Sequence, residues 1–225
     1  MTAAPSLYRT TASTALAWVA RAVAGTRVEF ASEAAADGMR GPGPRVFFCN
    51  HTSNLDGLIV WASLRPSQRT VTRPVAARDY WEASRIRHHV AVRIFRSVLV
   101  DRKRAEYAPA PDPSQPHPIS ASVQQMIDVL RGGESLIIFP EGMRNDGTQL
   151  GRFRSGIYQL AQACPEARLI PVRLQNLNRV LPKGEVIPVP CLGRMIVGVP
   201  RQLEPGEERR AFLDRMWTAV DELEA

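Results

Sequence analysis

Hydrophobic and polar positions follow two periods along this chain, and the switches between them mark out its elements. Over residues 5–24 the period is helical. At about 100° per residue, Leu7, Tyr8, Leu16, Trp18, Val19 and Val23 fall on one half of the wheel, and Arg9, Thr10, Ser13, Thr14 and Arg21 fall on the other. Short, largely apolar runs then predict strands at 27–30, 45–49 (RVFFC, read as buried), 74–77, 98–100, 136–139, 169–174, 186–189 and 195–199. Helical patterns lie between them at 55–64, 79–95 with Asp79 as its cap, 120–131, 155–163 and 207–223. The turn Gly41-Pro42-Gly43-Pro44 and the stop Gly132-Gly133 separate elements, and the proline-rich stretch 108–118 reads as a loop without chemistry.

Strands alternating with helices imply an α/β fold: a mixed, largely parallel central sheet flanked by helices, with an N-terminal amphipathic helix. A chain of 225 residues suffices for one large core. The expected division is residues 1–26 as the N-terminal helix and 27–225 as the main domain. The helix could lie in a membrane interface or dock its apolar face on the domain, and its pattern alone does not choose.

Charge narrows the partners. Lys and Arg number 29 against 22 Asp and Glu, a formal +7 that favours phosphate groups, nucleotide-bearing cofactors, acidic carrier proteins, nucleic acid or an anionic membrane surface, and charge alone does not choose among them. Nucleic acid is not expected, because the basic residues are scattered and no recognition motif is present. Cys49, Cys164 and Cys191 stand far apart with no zinc spacing, so they read as buried thiols in a reducing compartment, and no metal site is expected. No apolar segment approaches the roughly 20 residues needed to span a bilayer. Ala22-Val23-Ala24 imitates a signal-peptidase site, but Arg21 interrupts the apolar stretch before it.

Two motifs carry candidate chemistry. In Asn50-His51-Thr52-Ser53-Asn54-Leu55-Asp56, a histidine at a strand end precedes an aspartate at a helix start. The two would diverge on a continuous helix. They meet if His51 sits in the turn and Ser53 or Asn54 caps the helix, and the carboxylate then fixes the histidine tautomer and leaves the other ring nitrogen as a base. The plainer alternative makes His51 and Asp56 a turn cap and a helix cap. The second motif, Phe139-Pro140-Glu141-Gly142-Met143-Arg144, follows a strand, and Arg152 and Arg154 come soon after at a helix start, where guanidinium groups and amides suit a phosphate. A loop ion pair between Glu141 and Arg144 is the rival reading.

With these two runs, Leu99-Val100-Asp101-Arg102 and Ile170-Pro171-Val172 complete four motifs in order, and the chain resembles the bacterial lysophosphatidic acid and glycerol-3-phosphate acyltransferase superfamily. The resemblance spans about residues 46–172. It departs where Met143 replaces a usual threonine, Asn145 a serine, Arg154 a common lysine and Leu99 an aromatic residue.

What the resemblance implies is direct transfer of a fatty acyl group from acyl-CoA or acyl-carrier protein to a lysophospholipid hydroxyl, with 1-acyl-glycerol-3-phosphate the first choice of acceptor. His51 would be the general base, braced by Asp56. Arg102, Glu141, Gly142, Arg144 and Arg154 would form the acceptor site, with Glu141 orienting an arginine or the acceptor hydroxyl. Turn amides near His51 would receive the oxyanion, and the 58–64 helix would line the acyl groove. No cofactor beyond the donor thioester is implied. The expected location is peripheral, on the inner cytoplasmic face of the cell membrane. A different acceptor such as a lyso-ornithine lipid, a non-catalytic anionic-membrane-binding module, and a hydrolase remain as alternatives.

Overall fold

The computed structural model describes residues 7–101, 119–145, 147, 149–177 and 193–224. The chain opens with helix α1 (Leu7–Ala24), strand β1 (Arg27–Phe30), helix α2 (Glu33–Arg40) and strand β2 (Arg45–Cys49). Helices α3 (Asp56–Ser63) and α4 (Pro66–Thr70) lead to β3 (Thr72–Ala77), and helices α5 (Arg78–Glu82) and α6 (Arg85–His89) lead through a π-helical turn (Val90–Ile94) to β4 (Val98–Val100). Helix α7 (Ala121–Arg131), β5 (Ser135–Ile138), α8 (Gly156–Ala163), β6 (Arg168–Gln175), β7 (Arg194–Val197) and α9 (Arg209–Asp221) complete it.

Among the described residues, one seven-stranded sheet runs β1-β7-β6-β2-β5-β3-β4. Every pairing is parallel except β6 with β7, as the expected mixed, largely parallel sheet requires. β2 is buried along its whole length, which is why RVFFC carries no polar alternation. Its side chains still alternate in direction. Phe47 and Cys49 join the core beneath α1 and α3, and Val46 and Phe48 join the core beneath α7, α8 and α9. Burying each phenylalanine contributes on the order of 2–3 kcal/mol of transfer free energy, which fixes the central strand and everything that leaves its end.

Several local expectations need correction. The single helix expected over 79–95 is α5, α6 and a π turn, because Ser84 is extended at φ −147° and breaks the backbone between the first two. Asp79 lies in the first turn of α5, whose cap position is Ala77, so it is not the cap. β3 begins at Thr72, two residues before the apolar run. Helices α2 and α4, each under three turns, add to the expected elements. The face that α1 buries is also not the one its pattern suggested: Ala17, Ala20 and Ala24 are buried in the core shared with α3, and Trp18 is 73% exposed. Alanines at that seam let the two helices approach closely, Leu16 packs partly against the core, and Trp18 and Val19 are left outside. The strand expected at 186–189, the 108–118 loop, Cys191 and Arg102 lie outside the described residues.

Candidate active site

β2 and β5 are adjacent and parallel, with Phe48 opposite Ile138, so the loops that leave them start at the same edge of the sheet. Sites in open α/β sheets gather at this edge, beyond the carboxyl ends of the strands. His51 leaves β2 here and Glu141 leaves β5. The sequence holds them 90 residues apart, and the sheet makes them neighbours.

Asn50 fastens the end of β2. Its buried side chain donates to the Leu174 carbonyl (2.9 Å) and accepts from the Leu174 amide (2.7 Å), adding a rung to β6. The His51 ring then stacks on Phe139, with centroids 4.2 Å apart and planes 22° from parallel. Its Nδ1 lies 2.9 Å from Oδ2 of the fully buried Asp56. The same oxygen accepts from the amides of Thr52 (2.7 Å) and Ser53 (2.8 Å). Those two groups can only donate, so Oδ2 is an acceptor, and its third bond needs the hydrogen on Nδ1. In the neutral ring this leaves the lone pair on Nε2.

The helix start differs from the expectation. Neither Ser53 nor Asn54 caps α3, whose cap position is Leu55, and the Ser53 hydroxyl accepts instead from the Leu55 amide (3.2 Å). It is the Asp56 carboxylate that gathers the amides before it, which is how residues five apart come to touch. Most of the turn's amides are therefore spent. The amides of His51, Thr52, Ser53, Leu55 and Asp56 all donate within the protein, so they are not the oxyanion donors that the turn was expected to supply.

Glu141 has a structural role that the sequence did not suggest. It is 5% exposed, Oε1 accepts from the His51 amide (2.7 Å), and Oε2 accepts from the Gly151 amide (2.8 Å) and the Asn145 side chain (2.5 Å). Asn145 in turn donates its own amide to the His51 carbonyl (2.9 Å). The carboxylate is thus a strut that ties His51 to the 139–151 loop. Among the described residues it pairs with no arginine, and Arg154 Nε reaches the Glu141 carbonyl oxygen instead (3.3 Å). Gly142 sits at φ +75°, and a Cβ there would come within 2.5 Å of Arg154 Nε, so only glycine allows that side chain to lie across the turn.

Two cavities open at this edge and share Val75, Val100, Phe139, Gly142 and Met143 as a common wall. The first, of about 160 Å³, is lined by His51, Leu58, Trp81 and Arg144 among others. The second, of about 420 Å³, lies under α7 and α8 against Met126, Ile138, Ile157 and Leu160, with Arg154 at its edge. The described arginines of the expected phosphate site are therefore divided, Arg144 beside His51 and Arg154 beside the larger cavity. Only Leu58 of the 58–64 stretch reaches either cavity; Ile59, Val60, Trp61, Ala62 and Leu64 are buried in the core.

Cys49 is no rival nucleophile. Burial, and then the nearby Asp56 carboxylate, push its thiol well above the ordinary range, so it stays protonated. Among the described residues no group of three or more His, Cys, Asp or Glu side chains could hold a metal ion. Asn145, Asn50, Phe139 and Gly151 were not singled out as parts of the site. Asn145 was visible only as a departure from a familiar motif, and nothing in the sequence says that its amide bridges two loops.

Comparisons with known proteins bear on the fold and the family. A 116-residue stretch, half of this chain and 37% of the other protein, is 28% identical to a probable 1-acyl-sn-glycerol-3-phosphate acyltransferase of Mycoplasma pneumoniae. The fold matches the crystal structure of the 1-acyl-sn-glycerophosphate acyltransferase PlsC of Thermotoga maritima over 96% of this chain and 80% of that one, at a TM-score of 0.68 and 17% identity. The family described as Acyltransferase matches residues 27–175, which begin at β1, take in both His51 and Glu141, and end with β6. By that match over more than half its length, the chain belongs to the acyltransferase family.

Proposed function

We propose that this protein transfers a fatty acyl group from a thioester, acyl-CoA or acyl-carrier protein, to the free hydroxyl of a lysophospholipid, and that 1-acyl-glycerol-3-phosphate is its acceptor. The observation that carries the reading is the Nδ1–Oδ2 bond of 2.9 Å between His51 and a fully buried Asp56, at a cavity that also holds Arg144. Membership of the acyltransferase family supports the reaction class. The name of the Mycoplasma pneumoniae relative supports the acceptor.

In this mechanism Nε2 of His51 takes the proton of the acceptor hydroxyl as its oxygen attacks the thioester carbonyl. A base so positioned contributes about 10²–10⁴-fold. The resulting imidazolium faces the Asp56 carboxylate across Nδ1–H, which stabilises it. The tetrahedral intermediate then collapses, the C–S bond breaks, and the departing thiolate receives the proton from Nε2. Arg144, which has no hydrogen-bond or ion-pair partner among the described residues, would hold the acceptor phosphate. The larger apolar cavity would take an acyl chain, with Arg154 at its polar end.

A lipid acceptor fits a peripheral protein on the inner face of the cytoplasmic membrane, with the anionic bilayer as its partner surface. No helix among the described residues is long and apolar enough to cross a membrane. The deciding experiment is acyl transfer by His51→Ala across a panel of lysolipid acceptors, with both donor types. Wild-type transfer to 1-acyl-glycerol-3-phosphate that is abolished in the variant is expected. A variant that turns over normally would end the mechanism, and free fatty acid released without any acceptor would make the protein a hydrolase.

A further inference from the structure

Residues 83–100 contain four arginines (Arg85, Arg87, Arg93, Arg96) and two histidines (His88, His89) but no acidic residue. α9, by contrast, mixes Arg209, Arg210 and Arg215 with Asp214 and Asp221. Within the 83–100 run, α6 buries none of its residues. Ile86 is 77% exposed, and Val92 is 39% exposed on the π turn that follows. Arg85 and Arg93 are exposed and have no acidic partner among the described residues. Arg87 differs, because it turns back over the Tyr80 ring at 4.7 Å.

The placement of this segment gives it meaning. Tyr80 and Trp81 just before it and Phe95 and Ser97 just after it line the His51 cavity. Phe95 anchors the far end in the core, in T-shaped contact with both Trp61 and Trp81. The outward face of residues 83–94 is therefore fixed beside the catalytic cavity. Its core layer also holds α1, where Trp18 and Val19 are exposed. In water such a face is unfavourable twice over, through like-charge repulsion and through exposed isoleucine and valine. An anionic bilayer relieves both, offering lipid phosphates to the arginines and the acyl boundary to the apolar side chains.

We propose that the exposed face of residues 83–94 is the surface by which this protein docks on an anionic lipid bilayer, with Arg85 and Arg93 meeting headgroup phosphates and Ile86 and Val92 entering the interface. This rests on the acyltransferase reading for its purpose, which is to set the cavity against the membrane that carries the acceptor. A carrier-protein donor is the competing partner for a basic face, but scattered apolar exposure over one layer suits a broad lipid surface better than one compact protein contact.

The test uses the full chain and co-sedimentation with phosphatidylcholine vesicles, with and without phosphatidylglycerol. Wild type should bind the anionic vesicles and lose them as salt is raised. Arg85→Gln/Arg93→Gln should weaken that binding about 25-fold, about fivefold for each charge removed near an anionic surface. Ile86→Ser, at a position with no packing role, should weaken it independently. Both variants should slow acylation of a vesicle-borne acceptor and leave a monodisperse short-chain acceptor unaffected. Variants that bind as wild type does would overturn the proposal, as would a wild type that ignores anionic vesicles. Unchanged vesicle binding with a selective loss of turnover from acyl-carrier protein would assign the face to the donor protein instead. If wild type acylates no acceptor in either form, the enzymatic reading falls, and the vesicle result still decides the docking surface.

Discussion

Glu141 holds His51 by its backbone: Oε1 accepts the His51 amide hydrogen at 2.7 Å, across 90 residues of sequence. The aspartate that sets the ring and the glutamate that sets the main chain are different residues on different loops. A general base depends on both, because a misplacement near 1 Å can cost about 10²-fold in rate.

Glu141→Gln keeps the size of the side chain but offers one acceptor oxygen where three donors converge. Its kcat should fall by about 10²-fold, with the acceptor KM nearly unchanged. Glu141→Ala should also lower stability by about 3 kcal/mol or more, since each donor left unpaired costs on the order of 1–3 kcal/mol. Gly151→Ala should reproduce the kinetic defect without touching the charge, because the added Cβ would sit 2.6 Å from Oε2. Steady-state kinetics beside denaturant curves separate the two effects, and a Glu141→Ala enzyme with wild-type kcat would remove the strut from the mechanism.

Asp56→Asn tests the brace. The amide oxygen can take the place of Oδ2 and keep all three bonds, while its NH₂ lands where the buried Oδ1 has no partner. The fold should survive with a modest loss of stability, about 1–3 kcal/mol. Turnover should drop by at least about 10²-fold, because the imidazolium loses its counter-charge. Equal kcat in the variant and wild type would show that the carboxylate serves the turn alone.

Burial raises both described thiols, Cys49 with a further push from Asp56 and Cys164 with a further push from Glu166. A raised thiol pKa means less thiolate at any given pH, and the thiolate is what alkylates. Iodoacetamide at pH 8 should therefore leave Cys49 and Cys164 unmodified in the folded protein and modify both in denaturant, as peptide mass mapping would read. Rapid labelling of Cys49 with loss of activity would contradict its burial beside the base.

The sequence made the frame legible because burial writes itself into composition. After Arg45, the run Val46-Phe47-Phe48-Cys49 holds no polar residue, and a strand without alternation must be covered on both faces. The pairing of His51 with Asp56 was readable for a related reason, since both sit in one short turn. The function of Glu141 was not readable. Its partners come from Asn50-His51, from Asn145 and from Gly151, and only the register of β2 against β5 brings them to one point. α1 shows the opposite failure: its large apolar residues suggested the buried face, but helix–helix approach selected the alanines.

The division of the arginines gives a kinetic signature. Arg144 shares a cavity with His51, so Arg144→Ala should raise the KM for a phosphate-bearing acceptor, by about 10- to 100-fold if one charged hydrogen bond of about 1.5–3 kcal/mol is lost. Arg154 lines the other cavity, so Arg154→Ala should change the acceptor KM much less and act mainly on the donor side. Varying acceptor and donor concentrations separately distinguishes them. Equal acceptor defects in both variants would mean that the two arginines grip one phosphate after all.

The larger cavity makes a prediction about chain length. Leu160 and Ile157 face its interior from α8, and Met126 closes it from α7, so an acyl chain inside would meet apolar walls along its length. Each methylene removed from water contributes about 0.8 kcal/mol, close to a fourfold change in an equilibrium or rate constant. Leu160→Trp adds an indole to the cavity and should exclude the last few methylenes of a long chain. Its kcat/KM for long-chain thioesters should fall by tens-fold, short-chain thioesters should be nearly unaffected, and the optimum should move to shorter donors. A uniform loss at every chain length would report misfolding of α8. An unchanged length profile in a folded variant would place the acyl chain elsewhere, on the His51 side of the shared wall.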